Sequence, residues 1–400
     1  MTIIYPDGFK GQRVYSQALI NAARNLIPVL RARAKEAETN RCLPDATGQD
    51  LRRSGIARLL QPANFGGAEG SLEQLVDILI PVASGCPSTA WCLAQYLFHN
   101  YMIAHWPLEA QKEVWNDPMN LVSGILVPRL GKGRRVEGGY ELTGQWPFVS
   151  GVQPSDWCIL SGMVEQEEAL DEERYFLVPT SSLTILDTWD PIGLHGSGSH
   201  DVKVENLFIP EHLTLSIQHM KGGDFPGKSV NRGAVYRPPL LMISGILPAA
   251  CLIGMTEAMF ESFLLQSRDR KSLRTSEDTA SYPTHQMRVG EVSASLQAAE
   301  MLIRADCREI MELAAADSSY SPTERSNYRS NSAYAGQLAR RAAEIVWDLI
   351  GARGAYATNL IASYYRDIAV ASRHVAINWE VNATEHGRAR LRLPLTNPSL

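Results

Sequence analysis

The segment Gly193–Asp201 places two histidines and a carboxylate within seven residues. His195, His200 and Asp201 have side chains of the types that bind divalent metals. A zinc centre takes at least three protein ligands, and the sequence offers no cysteine or other clear ligand at a suitable spacing. We therefore expect no metal site and interpret the glycine- and serine-rich run as a turn.

His99 is a second candidate for chemistry, because imidazole has an unperturbed pKa of about 6.5 and exchanges a proton near neutral pH. It lies in a stretch rich in aromatic residues, with Tyr96, Phe98 and Tyr101 close by. A histidine in such a stretch is more often a core residue whose ring nitrogens bond to the backbone. From its neighbours alone, both a catalytic and a structural role remain open.

Two short glycine motifs, Gly131–Gly133 and Gly196–Gly198, contain the first part of a dinucleotide-binding loop. That loop needs a third glycine, in the spacing G-x-G-x-x-G directly after a strand, so that the backbone can approach the pyrophosphate. Neither motif has the third glycine. We therefore expect no nicotinamide site on this chain.

The composition is that of an ordinary globular protein of 400 residues, with 45% hydrophobic residues and a formal net charge of −5. Nucleic acid binding needs a concentrated basic surface. The charges are instead spread along the chain, and we interpret the short cluster Arg129–Arg135 as a solvated turn. No nucleic acid partner is expected.

The cysteines and the longest uncharged stretch indicate the cellular compartment in which we expect the protein. The six cysteines include no C-x-x-C pair, and scattered cysteines of this kind are typical of reduced, buried thiols in the cytoplasm. The longest uncharged stretch, Pro238–Thr256, approaches a membrane span in length but contains three prolines. We interpret it as a buried helix of a bundle and expect a cytoplasmic protein without a membrane partner.

Hydrophobic periodicity divides the chain into three regions, which we expect to be an N-terminal helical domain (1–118), a middle β domain (119–222) and a C-terminal four-helix bundle (223–400). The expected helices are Ser16–Glu38, Leu51–Leu60, Leu72–Ala83, Thr89–Ala104, Leu241–Arg268, Gln286–Ala315, Ala333–Ile350 and Tyr364–Arg388. The expected strands are Val122–Val127, Tyr140–Thr143, Trp157–Met163, Tyr175–Pro179, Thr184–Asp187 and Val202–Ile209. The stretch Gly222–Gly233 is expected to be exposed.

This order of helices, β domain and bundle resembles the acyl-CoA dehydrogenase fold over nearly the whole chain. Three segments carry the resemblance. Trp146–Gly151 (WPFVSG) is similar to the flavin-facing strand of the middle domain, and Gly193–Asp201 is similar to the turn that follows it. Ile350–Tyr356, with Tyr365-Arg366-Asp367, is similar to the last interhelical turn and the start of the last helix. The expected fold is therefore mainly α with a β domain, a barrel or sandwich in the middle.

The dehydrogenases of this fold need a carboxylate base to remove an α-proton from an acyl thioester. In many members the base is a glutamate about nine residues past the arginine of the Arg-Asp pair. Counting from Arg366, that position is Val375, and its neighbour is His374. The dehydrogenase base is thus missing at this position, although some relatives carry it on another helix.

The other branch of the fold is the oxygenase component of two-component flavin monooxygenases, and the resemblance to p-hydroxyphenylacetate and phenolic steroid hydroxylases is closer. Gly85–Trp91 (GCPSTAW), the pair Phe98-His99 and a histidine after Arg-Asp are typical of those enzymes. Four residues fall on positions where phenol hydroxylases of this type keep polar site residues. They are His99, Ser123, Ser150 and His374.

The resemblance implies a role for each of the four. Reduced flavin and oxygen form a C4a-hydroperoxide, and a hydroxyl that accepts a hydrogen bond from flavin N5 can stabilise it, which is the role of Ser150. His99 is the base that shifts a phenol toward phenolate, and Ser123 orients the substrate. His374 donates a proton or polarises the distal peroxide oxygen.

Cofactor contacts are also implied by the resemblance. Trp146 and Phe148 are expected to form the wall of the flavin site, with further contacts from Ser150, Gly151, Ser197 and Ser199. Arg268 and Arg270 resemble the arginine of family members that binds the flavin phosphate, often across a subunit interface. Reduced FMN, with FAD as a possible substitute, is expected from a separate flavin reductase, and family members are usually homotetramers.

The sequence leaves the substrate open. The leading hypothesis is hydroxylation of a phenol or related aromatic ring by reduced flavin and O2. An alternative is a monooxygenase of the same fold that acts on nitrogen or sulfur, whose substrates need no deprotonated phenol. A further alternative is an acyl-CoA dehydrogenase with tightly held FAD.

Overall fold

The computed structural model describes residues 8–165, 171–268, 270–272 and 276–397, with side chains from residue 14 onward. Helices form both ends of this part of the chain. The helices before the sheet are α1 (Gly8–Asn40), α2 (Asp45–Ser54), α3 (Leu72–Gly85), α4 (Pro87–Ile103) and α5 (Leu108–Val114). Those after it are α6 (Leu240–Ile243), α7 (Ile246–Ser267), α8 (Pro283–Ala315), α9 (Pro322–Ile350), α10 (Leu360–Ala371) and α11 (Trp379–Arg390).

Eight strands form one mixed sheet between the two helical regions. They are β1 (Val122–Ile125), β2 (Gly131–Val136), β3 (Gly139–Val149), β4 (Trp157–Val164), β5 (Glu172–Pro179), β6 (Thr184–Leu186), β7 (His200–Pro210) and β8 (Thr214–Ser216). The order is β6-β7-β3-β2-β4-β5-β8, and β1 pairs in parallel with β4. The expected fold class, mainly α with a β domain in the middle, is confirmed.

Capping residues set where the helices around the site begin. Ser71 and Gln74 form a capping box at the start of α3, in which each side chain accepts from the other residue's backbone N–H. Pro87 occupies the first position of α4, where its missing N–H costs nothing. Because α4 starts at a fixed residue, the direction of each of its side chains is fixed as well.

A β-bulge interrupts β3 where the sequence has Pro147. Trp146 pairs with Val202 and Val149 with His200, so β3 has one more residue than β7 between these pairs. Proline cannot donate a ladder hydrogen bond, which explains why the irregularity lies here. Phe148 takes the left-handed conformation, with φ of +66°, and its side chain is 62% exposed, whereas Trp146 and Val149 are fully buried.

The expectation of one helix over Tyr364–Arg388 is wrong. The chain breaks after α10, makes a short 3-10 turn at Val375–Ile377 and restarts as α11. Two polar side chains explain the break, because the His374 ring accepts from the Ala376 N–H and Asn378 accepts from the Val381 N–H. The two caps therefore divide the expected helix into α10 and α11.

Two surface expectations also need correction. Residues of the cluster Arg129–Arg135 belong in large part to strand β2, in which glycines face inward and Lys132 and Arg134 face solvent, so the strand shows no apolar alternation. The stretch Gly222–Gly233 is exposed at its start, but Phe225 is buried against the His105 ring and Asn231 donates to the Ala104 carbonyl. This segment therefore closes over the end of α4.

The core of the bundle is built on α7. The segment Leu240–Ser267 is, among the described helices, the one long and apolar enough to cross a membrane, and 83% of its most apolar window is buried inside the protein. This helix packs against α3, α9 and α10. The uncharged stretch thus forms a buried bundle helix, as the prolines and small residues predicted.

Close packing of α7 against α3 depends on Gly254, since a Cβ there would collide with the carbonyl oxygen of Ile80. We expect Gly254→Ala to lower the free energy of unfolding by about 1–3 kcal/mol. The matched control is Gly290→Ala on α8, where a Cβ would meet no described atom within 4 Å, and this change should stabilise by about 0.5–1 kcal/mol. Urea denaturation measures both, and equal effects would contradict the packing argument.

Candidate active site

One face of α4 contacts the other parts of the candidate site. Its contact residues recur at helical spacing, so they lie on one side of the helix. The Trp91 ring centroid lies 5.4 Å from that of His374. The Cys92 Sγ donates to the Ser197 carbonyl (3.4 Å), and the Tyr96 hydroxyl donates to the Gly151 carbonyl (2.8 Å). The His99 Nδ1 lies 2.9 Å from the Val122 carbonyl oxygen. Trp91 and His99 are about 12 Å apart along the helix axis.

Three serine hydroxyls form a chain behind the β3 bulge. The Ser150 Oγ lies 2.8 Å from the Ser199 Oγ, which lies 2.7 Å from the Ser197 Oγ. Ser150 is 6% exposed, whereas Ser199 and Ser197 are 2% and 0% exposed. The expected cofactor contacts of Ser197 and Ser199 stay a prediction. In this structure their hydroxyls are buried behind Ser150, the most exposed of the three.

Gly151 fixes the backbone next to Ser150. Its N–H donates to the Ser197 carbonyl at 2.8 Å, and its carbonyl accepts from the Tyr96 hydroxyl. Its φ of +67° favours glycine, and a Cβ at this position would collide with the Tyr96 hydroxyl. Both backbone groups of Gly151 are thus used within the protein, and the residue orients Ser150 rather than offering a free hydrogen-bonding group to a cofactor.

Phe148 and Trp146, expected together as the wall of a flavin site, lie in different environments. Phe148 is exposed and meets the edge of Trp189 at 6.2 Å between ring centroids. Trp146 has no exposed surface, and its indole N–H donates to the Ser161 carbonyl at 2.9 Å. The bulge explains the difference, since the extra residue turns Phe148 to the face opposite Trp146. The expected contact between Trp146 and a cofactor is wrong, and Trp146 supports the sheet.

His99 is 1% exposed and held in one tautomer. A carbonyl oxygen only accepts, so the Nδ1 beside the Val122 carbonyl carries the hydrogen and Nε2 keeps a lone pair. Burial lowers the pKa of His99 to about 4, so the ring is neutral at pH 7. A Cβ at Gly124 would stand 2.9 Å from Nε2, so the glycine gives this nitrogen its space. His99 can therefore accept a hydrogen bond through Nε2.

Ser123 does not share this space. Side chains alternate along a strand, and it is Gly124 that faces His99. The Ser123 hydroxyl lies 2.9 Å from the Ser155 Oγ and donates to the Trp157 carbonyl at 3.3 Å, and the residue is fully buried. The expected role of Ser123 in orienting a substrate stays a prediction that this placement does not support. Its hydroxyl ties β1 to the start of β4.

His374 lies at the other end of the α4 face and is half-buried. Its Nδ1 accepts from the Ala376 N–H at 3.3 Å, and because a backbone N–H only donates, the ring hydrogen lies on Nε2. Burial lowers the pKa of His374 to about 4. His374 is therefore a neutral hydrogen-bond donor through Nε2, the opposite of His99.

The Arg-Asp pair of the sequence joins three regions of the chain. The Leu194 N–H donates to Asp367 Oδ1 at 2.6 Å, and Arg366 pairs with Glu38 at 3.2 Å. Burial raises the pKa of Asp367 to about 7. A Cβ at Gly193 would collide with the Arg366 carbonyl, so glycine is needed for this approach. The pair anchors the Gly/Ser turn, and with it the serine chain, to α10.

Arg268 and Arg270 follow the C-terminal end of α7. Arg268 is exposed, and Arg270 donates to the Leu349 carbonyl at 2.9 Å. Among the described hydrogen bonds and ion pairs, none links either arginine to the residues around Ser150. Their expected contact with a flavin of another subunit stays a prediction.

Metal binding finds no support in the described residues, which contain no group of three or more His, Cys, Asp or Glu side chains that could hold a metal ion. His200 Nδ1 instead lies 3.3 Å from the backbone nitrogens of Thr188 and Trp189 and accepts from them. These bonds connect the start of β7 to the turn before Trp189, the partner of Phe148. His200 thus helps to position the aromatic pair.

Sequence reasoning proposed roles for His99 and His374, which stay predictions, but it missed the residues that contact them and the neighbouring backbone. The residues in question are Trp91, Cys92 and Tyr96. They contact the backbone or another ring, so their residue types do not indicate a functional role. The signal that could have found them is position. Tyr96 lies three residues before His99, Cys92 four residues before Tyr96, and Trp91 one residue before Cys92, so all of them share one helix face.

Comparison with known proteins extends this description. Residues 246–379 match the family described as acyl-CoA dehydrogenase, C-terminal domain. A pigment production hydroxylase from Rhodococcus sp. is 31% identical over 383 residues, which cover 96% of this chain and 98% of that one. The oxygenase component of an FADH2-dependent resorcinol hydroxylase from Rhizobium sp. is 27% identical over 94% of each chain.

A solved structure gives the same result for the whole fold. The crystal structure of 3-HSA hydroxylase from Rhodococcus sp. RHA1 is 28% identical, with a TM-score of 0.91 over 96% of this chain and 99% of that one. The fold, the sequence identity and the coverage agree. The chain therefore belongs to the flavin-dependent monooxygenases of the acyl-CoA dehydrogenase fold and is an oxygenase component of that family.

Proposed function

We propose that this monooxygenase hydroxylates a phenol or a related electron-rich aromatic ring, using O2 and reduced flavin delivered by a separate reductase. The observation that carries the proposal is the pair of opposite histidine tautomers. His99 presents a lone pair on Nε2 and His374 presents a hydrogen on Nε2, at the two ends of the α4 face. Hydroxylation of a phenol needs both, one to polarise the substrate hydroxyl and one to donate to oxygen.

The residues beside the β3 bulge fit a flavin. Phe148 is a large aromatic side chain held exposed by a strained backbone, and the Trp189 ring stands nearly perpendicular to it, so a flat ring placed here would cover apolar surface. Ser150 adds a hydroxyl next to this surface. Reduced flavin, when bound and exposed to O2, supplies a C4a-hydroperoxide that can transfer one oxygen atom. FMN remains our expectation over FAD.

Ser150 can serve this cofactor as an acceptor. If its own hydrogen points to the Ser199 Oγ, 2.8 Å away, the lone pairs of Ser150 are left for an N–H donor in the site. Ser199 in turn has the Ser197 Oγ as its acceptor. With donation in this direction, away from the site, Ser150 is left in the accepting role.

The low pKa of His99 defines how it can activate a phenol. An imidazole with a pKa of about 4 holds a proton weakly, but its neutral form accepts a hydrogen bond over the whole neutral range. A phenol that donates to Nε2 gains electron density on its ring without complete transfer of the proton. His374, also neutral, donates to an oxygen atom through its Nε2–H. Neither histidine has to change its charge for these roles.

We propose that Arg268 and Arg270 bind flavin phosphate across a subunit interface of a homotetramer. Arg268 is exposed at the end of α7, where a second subunit can reach it. The described cysteines, all free, are in keeping with a cytoplasmic location.

The class of chemistry is tested by mixing the reduced, flavin-loaded protein with oxygen in a stopped-flow spectrometer. We expect a transient absorbance of the C4a-hydroperoxide before oxidised flavin appears, and incorporation of one 18O atom into an aromatic product when a reductase and a panel of phenols, indoles and amines are supplied. Direct reoxidation in one phase, without an oxygenated product from the panel, would refute the proposal.

Ser150→Ala should shorten the lifetime of that transient by about tenfold and raise peroxide release, since one hydrogen bond of about 1.4 kcal/mol is lost. Ser199→Ala should shorten the lifetime of the transient by a smaller factor, because Ser150 keeps its hydroxyl and loses only the partner that orients it. Ser199→Thr keeps a hydroxyl at this position and should leave the lifetime as in the unaltered protein. Ser182→Ala, at an exposed serine, is the control. A lifetime unchanged in Ser150→Ala would remove Ser150 from this role.

Buried neutral histidines should make stability depend on pH. His99 and His105 both have a pKa of about 4, lowered mainly by burial. Unfolded, each would titrate near 6.5, so between pH 6.5 and 4 the unfolded state binds more protons and stability falls as pH falls, by up to about 1.4 kcal/mol per pH unit for each histidine. Urea denaturation at pH 7, 6 and 5 measures the free energy of unfolding. His99→Asn should reduce the dependence of this free energy on pH by up to about 1.4 kcal/mol per pH unit, which corresponds to one proton. An unchanged pH dependence would contradict the neutral state of His99.

A further inference from the structure

Gln95 is exceptional within α4. Sixteen of the seventeen residues of this helix are buried, and Gln95 is the one that is only partly buried. A polar residue at the surface of a protein is ordinary, but α4 lies inside the molecule, between the sheet and the bundle. Because α4 contacts both β1 and α7, the partly exposed surface of Gln95 lies where the sheet and the bundle meet.

Helix geometry gives the direction in which Gln95 points. Successive α-helical residues turn by about 100°, so Gln95 lies about 40° around the helix from Trp91, and His99 lies about 40° further. Trp91 points to His374. Cys92 and Tyr96, about 100° and 140° from Trp91, point to the Gly/Ser turn and to Gly151. Gln95 thus points to the space between His374 on one side and the β domain on the other, which we call the cleft.

The Gln95 amide is available for a ligand. Within the described residues, no hydrogen bond of its side chain is found, and α4 contains no charged residue. An amide offers two donors and one acceptor without a charge. Its neighbour on the same face, His99, lies four residues away, a spacing that places Cβ atoms about 5–6 Å apart. One small ligand can therefore contact both side chains.

We propose that Gln95 is a specificity-determining residue that hydrogen-bonds to a neutral polar substituent of the aromatic substrate, such as a hydroxyl or carbonyl group. The inference rests on the proposed function, because it places the substrate ring on the α4 side of the cleft. Phe148 and Ser150 occupy the opposite, β3 side and fit the cofactor. The substrate class is thus a phenol that carries a second, uncharged hydrogen-bonding group close to the first.

Charge and solvation favour a neutral group at this position. Bringing a carboxylate into a cleft lined here by Trp91, Gln95 and His99 would remove it from water, and none of these side chains carries a positive charge at neutral pH. A hydroxyl or carbonyl group loses less on entry and regains a hydrogen bond from the amide. An amide that stays unpaired disfavours a substrate that lacks such a group, which is how hydrogen-bonding sites discriminate.

The test compares two phenols that differ in one atom, 3-hydroxybenzyl alcohol and 3-ethylphenol. Dissociation constants are measured by titrating each into the protein loaded with oxidised FMN and following the flavin spectrum, and product formation is measured separately. The variant is Gln95→Met, which keeps the unbranched shape and removes the amide. Gln17→Met, at an exposed position of α1, is the control.

We expect the ratio of the two dissociation constants, ethylphenol over alcohol, to fall about tenfold in Gln95→Met and to stay unchanged in Gln17→Met. The unaltered protein should bind 3-hydroxybenzoate no more tightly than 3-ethylphenol. An unchanged ratio in Gln95→Met, including equal weakening of both phenols, would overturn the inference, as would tight binding of the benzoate. A changed ratio without any oxygenated product would instead refute the proposed function and leave the binding role of Gln95 standing.

Discussion

Backbone carbonyl groups of the β domain hold α4 in place, and the site depends on these bonds. The thiol of Cys92, the hydroxyl of Tyr96 and the Nδ1–H of His99 each donate to a carbonyl oxygen, over about two turns of the helix. Because all three donors are buried, a bond left unmade would cost the full desolvation of a polar group. The helix can therefore neither rotate nor slide without a large loss, and the tautomer of His99 is set by the same bonds.

The candidate site is consequently a product of two layers. One layer faces the cleft and consists of His99, His374, Ser150 and Phe148. The other lies behind it and includes Ser199 and the Gly151 backbone, whose partners are internal. The second layer forms hydrogen bonds with some polar atoms of the first layer. The other polar atoms of the first layer are thereby left to face the cleft.

Periodicity and turn signals were sufficient to predict the order of helices, sheet and bundle, because long apolar patterns depend on burial alone. They failed where a side chain competes with the backbone, as at His374 and Asn378, whose caps divide the last helix. They failed also at β2, where glycines take the inward positions. In the site, the family pattern indicated Ser150 and His374, but it could not show that Ser123 points away from His99. That depends on strand alternation at β1, which only the pairing with β4 defines.

The bulge at Pro147 has a consequence for how the chain finds its fold. A strand that slips by one residue exchanges its inward and outward side chains. Because β3 changes its alternation at the bulge, a slip against β7 would bury Phe148 or expose Val149 and would also leave proline opposite a position that requires a donor. Misregistered pairings of β3 with β7 are thus penalised, so the irregularity in this strand favours the native alignment of these two strands.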